Sequence, residues 1–128
     1  MSAWSLELPI SEPPLSANER VHWAVRAAWA RELRDTARLL VRHARVPRLE
    51  RAQLTVVLCP PDGRKRDSDN YVASVLKPIK DALVDASVVP DDTDRHVAWS
   101  LVLAPPTGDR EGRWRYVIEI SEARPCGS

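Results

Sequence analysis

Eleven prolines spread through 128 residues constrain this chain more than any other feature. Proline lacks a backbone donor and its ring clashes with the carbonyl one turn back, so it bounds strands and helices and seldom sits inside them. Residues 3–8 alternate, with Trp4, Leu6 and Leu8 on one face and Ser5 and Glu7 on the other. That is the period of a half-buried strand, and Pro9 stops it. Pro13 and Pro14 make Ser11–Asn18 read as an ordered loop. The stretch that ends at Pro47 predicts a long helix from about Glu19 to Ala44. At ~100° per residue, Val25, Trp29, Leu33, Ala37, Leu40 and Ala44 form one stripe of it, and Arg31, Arg34, Arg38, Arg42 and Arg45 the opposite one.

Gln53–Leu58 predicts a second strand, β-branched in its middle and stopped by Pro60-Pro61. The polar loop Asp62–Asp69 then leads into a second helix, from about Asn70 to Ala86, with Val72, Val75, Leu76, Ile79, Ala82, Leu83 and Ala86 as its buried face. Pro78 falls inside this helix and should kink it or begin a new segment there. Beyond Pro90, Val97–Leu103 and Trp114–Ile120 alternate as strands joined by Pro105–Arg113, and they pair most simply as an antiparallel hairpin. The order β-α-β-α-β-β predicts an α+β fold, a mixed sheet with two helices packed on one face. The length suits a single domain, 1–128, with 124–128 frayed.

Charge needs a closer look. Nineteen Lys and Arg against eighteen Asp and Glu give a net charge of +1, which at face value argues against a strongly basic nucleic-acid binder. The sum conceals an uneven distribution. Arg20–Arg51 holds nine arginines against three acids, whereas Asp62–Asp94 holds eight aspartates against five bases. No apolar run approaches the ~20 residues of a membrane span. Met1–Pro9 carries no basic stretch before an apolar core, so no secretory signal is expected and the expected location is cytoplasmic. Cys59 and Cys126 read as reduced thiols, too few for a disulfide framework.

The chemistry concentrates in the aspartates. Arg64-Lys65-Arg66-Asp67-Ser68-Asp69-Asn70 puts two carboxylates at i, i+2 at the end of a loop, and Asp91-Asp92 follows the second helix. If that helix packs across the sheet, both clusters can meet at one end of it. Hard oxygen ligands without His or thiolate suit Mg²⁺ or Mn²⁺ rather than Zn²⁺. A cation would also relieve the mutual repulsion that raises the pKa of neighbouring carboxylates. The competing reading is structural, since Asp69 or Asn70 is a good N-cap. The second pair and the flanking bases favour the metal. An EF-hand starting at Asp67 would need Gly and Glu where Val72 and Pro78 stand, and a DxDxT phosphatase would need Thr where Tyr71 stands. Lys77 and Asp81, four apart, read equally as a solvated ion pair or as a lysine that holds a phosphate near the metal.

Three blocks in order resemble a known family. Arg66-Asp67-Ser68-Asp69-Asn70, then Lys77-Pro78-Ile79-Lys80-Asp81-Ala82-Leu83, then Val88-Val89-Pro90-Asp91-Asp92 are similar to the signature of RusA-type Holliday junction resolvases. The opening Pro13-Pro14-Leu15-Ser16-Ala17-Asn18-Glu19-Arg20 is also similar to that family's, and the likeness covers Leu6 to Ile120. It implies a RusA-like fold and a small, dimeric, Mg²⁺-dependent DNA endonuclease, commonly phage-derived, that resolves four-way junctions by paired symmetric nicks in recombination and repair. Mn²⁺ would substitute for Mg²⁺. By the resemblance, Asp67, Asp69 and Asp92 bind metal, with Asp91 a neighbouring candidate, and Lys77 is the essential lysine. Arg66 contacts DNA, joined by Lys65 and Arg64, and Asn18 and Arg20 match the N-terminal motif. Two departures stand out: the helix between Asn70 and Asp81 is about one turn longer, and Ser87 replaces an expected helix-ending glycine. The arginine stripe from Arg31 to Arg45 would then hold DNA backbone. The alternative from another class is a catalytically inactive, resolvase-derived DNA-binding accessory protein.

Overall fold

A computed structural model describes residues 3–124; Pro125–Ser128, expected to fray, and Cys126 lie outside the described residues. The elements are β1 (Ala3–Leu8), α1 (Trp23–His43), β2 (Ala52–Cys59), α2 (Lys77–Asp85), β3 (Val97–Leu103) and β4 (Arg115–Glu122). A 3₁₀ turn at Ser68–Tyr71 and a π-helical turn at Val72–Leu76 run directly into α2. The fold is α+β, with one four-stranded mixed sheet in the order β1-β4-β2-β3. β4 is antiparallel to both β1 and β2, and β3 is parallel to β2.

That order corrects the expected hairpin. β3 and β4 do not pair; β4 lies between β1 and β2. The reason lies in the connections. α2 carries the chain back along the sheet, so β3 starts at the end where β2 started and can only run parallel to it. The 104–114 loop then steps over the end of β2, where Ala104, Thr107 and Gly108 donate their N–H groups to the carbonyls of Leu58, Pro60 and Pro61 at 2.9 Å each. Gly108 and Gly112 take φ of 77° and 73° along that path, a conformation open to glycine at little cost. Burial agrees with the order. Tyr116, Ile118 and Ile120 of β4 are fully buried, as a central strand demands, while Trp99 and Val102 of β3 are partly exposed, as an edge allows.

One face of the sheet carries the core. Leu8, Leu54, Val56, Leu58, Tyr116, Ile118 and Ile120 join Leu33, Ala37 and Val41 of α1 and Ile79, Ala82 and Leu83 of α2 in a single cluster. Burying such side chains contributes roughly 1.5–3 kcal/mol each, so this face dominates the stability. The buried stripe of α1 differs from the expected one. Leu33 and Ala37 are buried, but so is Val41, whereas Val25 is 50% exposed. α1 begins at Trp23 rather than Glu19, because the His22 ring accepts the Ala24 N–H at 3.1 Å and caps the helix there. Its first turns leave Trp23 75% exposed.

Pro78 begins a new segment, as expected. It cannot donate to the Ser74 carbonyl one turn back. The Trp29 indole N–H donates to that carbonyl instead, at 2.8 Å. The helix upstream of it is π-helical, and the Lys77 N–H reaches the Val72 carbonyl. Ser87 takes φ 62°, the left-handed conformation in which a glycine was expected.

Candidate functional site

β2 delivers the chain through buried Pro60 and Pro61 into the 62–67 loop. Arg66 braces this loop. Its guanidinium donates to the Asp62 carbonyl at 2.9 Å, the Asp62 carboxylate at 2.8 Å and the Arg64 carbonyl at 3.1 Å, and it lies 4.8 Å over the Trp114 ring. Asp62 is held below the usual carboxylate range by the Arg64 backbone N–H and then by Arg66. Arg66 is therefore committed to the protein, and its predicted DNA contact is not free in this arrangement. Lys65 and Arg64 remain exposed, although Arg64 also lies 3.5 Å from Asp62.

Asp67, rather than Asp69 or Asn70, caps the 3₁₀ turn, accepting the Asp69 N–H at 3.0 Å. Both carboxylates are exposed. Asp67 lines an open cleft of about 610 Å³ with Lys65, Ser68, Asn70, Ser16 and Leu103. The N-terminal loop docks beside it: the Ala17 N–H donates to the Asn70 carbonyl at 2.8 Å, and the Ser74 hydroxyl donates to the Leu15 carbonyl. Arg26 fastens the same loop through the Ser16 carbonyl at 3.1 Å and the Glu19 carbonyl at 2.5 Å. Asn18, whose N–H donates to Ser16 Oγ at 3.2 Å, and Arg20 are exposed on this loop.

A second cluster centres on Lys77. Its ammonium donates to Asp81 Oδ1 at 2.9 Å and directly to Asp92 Oδ2. The Asp92 bond, then the Asp81 bond, push the Lys77 ammonium above its ordinary value, and Lys77 in turn holds Asp92 low. Asp91 serves other partners. It accepts from the Thr93 hydroxyl at 2.5 Å and the Thr93 N–H at 3.0 Å, which lower its pKa, and it lies 3.7 Å from His96 Nε2.

The structure thus joins Asp67 to Asp69 and Lys77 to Asp92, but it does not merge the two pairs. Asp69 lies in the 3₁₀ turn and Lys77 opens α2, with the whole π-helical turn Val72–Leu76 between them. Among the described residues no group of three His, Cys, Asp or Glu could hold a metal ion. The donor chemistry suits Mg²⁺; the arrangement supplies it with no three-carboxylate cage.

Two arginines of the α1 stripe, Arg34 and Arg42, turn toward α2. Arg34 forms a bidentate pair with Asp85 at 2.5 and 2.8 Å and lies 3.7 Å from Asp81, so it ties α1 to α2. Arg42 reaches the Asp85 carbonyl at 3.5 Å. Sequence reasoning had no signal for the Arg34 pairs, because Asp81 and Asp85 lie on another element. No helix is long and apolar enough to cross a membrane among the described residues. A scan against protein-family models and a search of curated proteins each return no match.

Proposed function

We propose that the chain is a RusA-type, structure-selective DNA endonuclease that resolves Holliday junctions by paired nicks, acting as a homodimer with Mg²⁺ or Mn²⁺ as cofactor. The observation that carries this reading is the contact of Lys77 with Asp92, which joins two of the three signature blocks across the α2–β3 connection. The third block opens the same helical run and lies at the mouth of a cleft. A bound Mg²⁺ would supply an activated water and neutralise charge on the phosphate. Asp67, Asp69 and Asp92 are the groups with the chemistry to hold it, and for them to share one ion Asp92 must leave Lys77.

The chain's own residues divide the remaining work. Lys77 carries one positive charge between two carboxylates, and when Asp92 is otherwise engaged its ammonium is available to a phosphate oxygen. Lys65 and Arg64, exposed beside Asp67, supply backbone-phosphate contacts that fix position without reading sequence. Arg66 is a positioning residue, holding the loop against Asp62 and Trp114. A junction is nearly two-fold symmetric and needs two cuts, which a C2 dimer provides.

A second reading, a junction-binding accessory protein without catalysis, is favoured by the separation of the carboxylates among the described residues. One assay decides. The protein is incubated with a synthetic four-way junction and Mg²⁺, beside Asp69→Asn. Metal-dependent paired nicks from the unsubstituted protein only are expected. Junction binding without nicks in either protein overturns the nuclease and selects the accessory protein, and absence of binding overturns both.

A further inference from the structure

Five of the arginines form ion pairs with acids. Arg34 meets Asp85 and Asp81, Arg64 and Arg66 meet Asp62, Arg113 meets Asp109 and Glu111, and Arg115 meets Glu7. One concavity gathers three of the arginines that form none among the described residues. Near the starts of β2 and β3, Arg48, Arg51, Arg95 and His96 line an open hollow of about 520 Å³ over Leu49 and Pro90. None of these three arginines has a carboxylate within ion-pair distance among the described residues, although Glu50 also lines the hollow.

The arginines come from two segments that the backbone locks together. The Leu49 N–H donates to the Val88 carbonyl at 2.8 Å, and the Ala52 N–H donates to the His96 carbonyl at 2.8 Å. The Arg51 guanidinium is held by two neutral acceptors, the Asp94 carbonyl at 3.1 Å and the Arg124 carbonyl at 3.2 Å. Carbonyl oxygens orient a guanidinium without cancelling its charge. The His96 ring lies 3.1 Å from the Glu50 carbonyl and its Nε2 faces the Asp91 carboxylate at 3.7 Å, so the three arginines supply the charge of the hollow. Cations gathered on a preformed, water-open hollow repel one another and are relieved by a multivalent anion, and planar guanidinium forks match phosphate oxygens.

We propose that this hollow is a backbone-phosphate site for duplex DNA, separate from the Asp67 cleft and the Lys77 cluster, which holds an arm of the substrate away from the scissile bond. The proposal rests on the reading of the chain as a DNA-binding protein but not on its cutting DNA. Binding of the full chain to a short linear duplex is followed by fluorescence anisotropy across a salt series. The comparison is with Arg48→Gln/Arg95→Gln and with a charge-matched control, Arg110→Gln/Arg113→Gln.

Each phosphate contact contributes about 0.9 to the slope of log affinity against log salt, so the hollow variant should lose about 1.8 from it and the control should keep it. Equal slopes in all three proteins, or no duplex binding at low salt, would overturn the site. Unchanged duplex slopes with selective loss of poly-glutamate binding would also overturn it and assign the hollow to an acidic protein. Failure of the nuclease reading looks different: junctions stay uncut while the hollow variant still loses duplex slope.

Discussion

If Arg34 ties α1 to α2, its removal should cost stability and leave DNA binding alone; if it faces phosphates, the reverse should hold. The pair is bidentate, with Arg34 Nε and a terminal nitrogen at 2.5 and 2.8 Å from the two Asp85 oxygens. The side chains are 45% and 26% exposed, so water and salt screen much of the attraction. Exposed pairs are worth ~0.2–1 kcal/mol, and ideal bidentate geometry with a second acid, Asp81, puts this one near the top of that range. A double-mutant cycle with Arg34→Met and Asp85→Asn should therefore give a coupling of about 1 kcal/mol, and for a domain of this size the single Arg34→Met change should lower Tm by about 4 °C.

The coupling has a pH signature. Arg34 holds the Asp85 carboxylate below its ordinary value, so Asp85 protonates less readily folded than unfolded. Its contribution is complete above the unfolded carboxylate pKa of about 3.9 and is lost as the pH falls through the lower, folded value. Added salt should shrink the coupling as well. Chemical denaturation of the four proteins at neutral pH and again near pH 3 measures both effects. Additive substitutions, with coupling below about 0.2 kcal/mol, would refute the tie. So would a fall of about 0.9 in the salt slope of DNA binding on Arg34→Met, because that is the mark of a phosphate contact.

Other outcomes follow from the same geometry. Lys77→Met should let the Asp92 carboxylate titrate at a higher pH than in the unsubstituted protein, as seen in side-chain carboxyl NMR, and an unmoved Asp92 would mean that their contact does not persist in solution. Ser87→Gly should raise stability by about 1 kcal/mol, since Ser87 sits at φ 62° and glycine takes that conformation without strain; a Tm that falls would show that Ser87 makes a compensating contact. Ile118→Ala, at a fully buried position in central strand β4, should cost about 3 kcal/mol by denaturant unfolding. The same change in an edge strand would cost less, so a loss under about 1 kcal/mol would contradict the β1-β4-β2-β3 order.

Much of this was legible in the residues. Alternation in 3–8 and 97–103, β-branching in 53–58, the helical stripes and the prolines between them all report local periods and local sterics, which a chain carries wherever it goes. Pro78 marked a break in the helix because its missing donor is a property of the residue itself, whereas the left-handed position at Ser87 was expected only from the family resemblance, since serine does not announce it. A capping side chain in this turn was legible for the same local reason, although the cap is Asp67 and not Asp69 or Asn70.

What the tertiary structure alone decided is how distant segments meet. Strand order depended on a loop stepping over β2, and no periodicity in 97–120 distinguishes a hairpin from that path. Whether an arginine is free depends on which acid faces it: Arg34 is answered by Asp85 from another helix and Arg66 by Asp62 from its own loop, while Arg48 and Arg95 meet no acid among the described residues. The two aspartate motifs were visible as hard-oxygen donors from their residues, but whether they meet is a distance between segments, and such distances arise only when the core packs. Charge acts through space, so the sequence names the charged groups, and the fold alone decides which of them cancel.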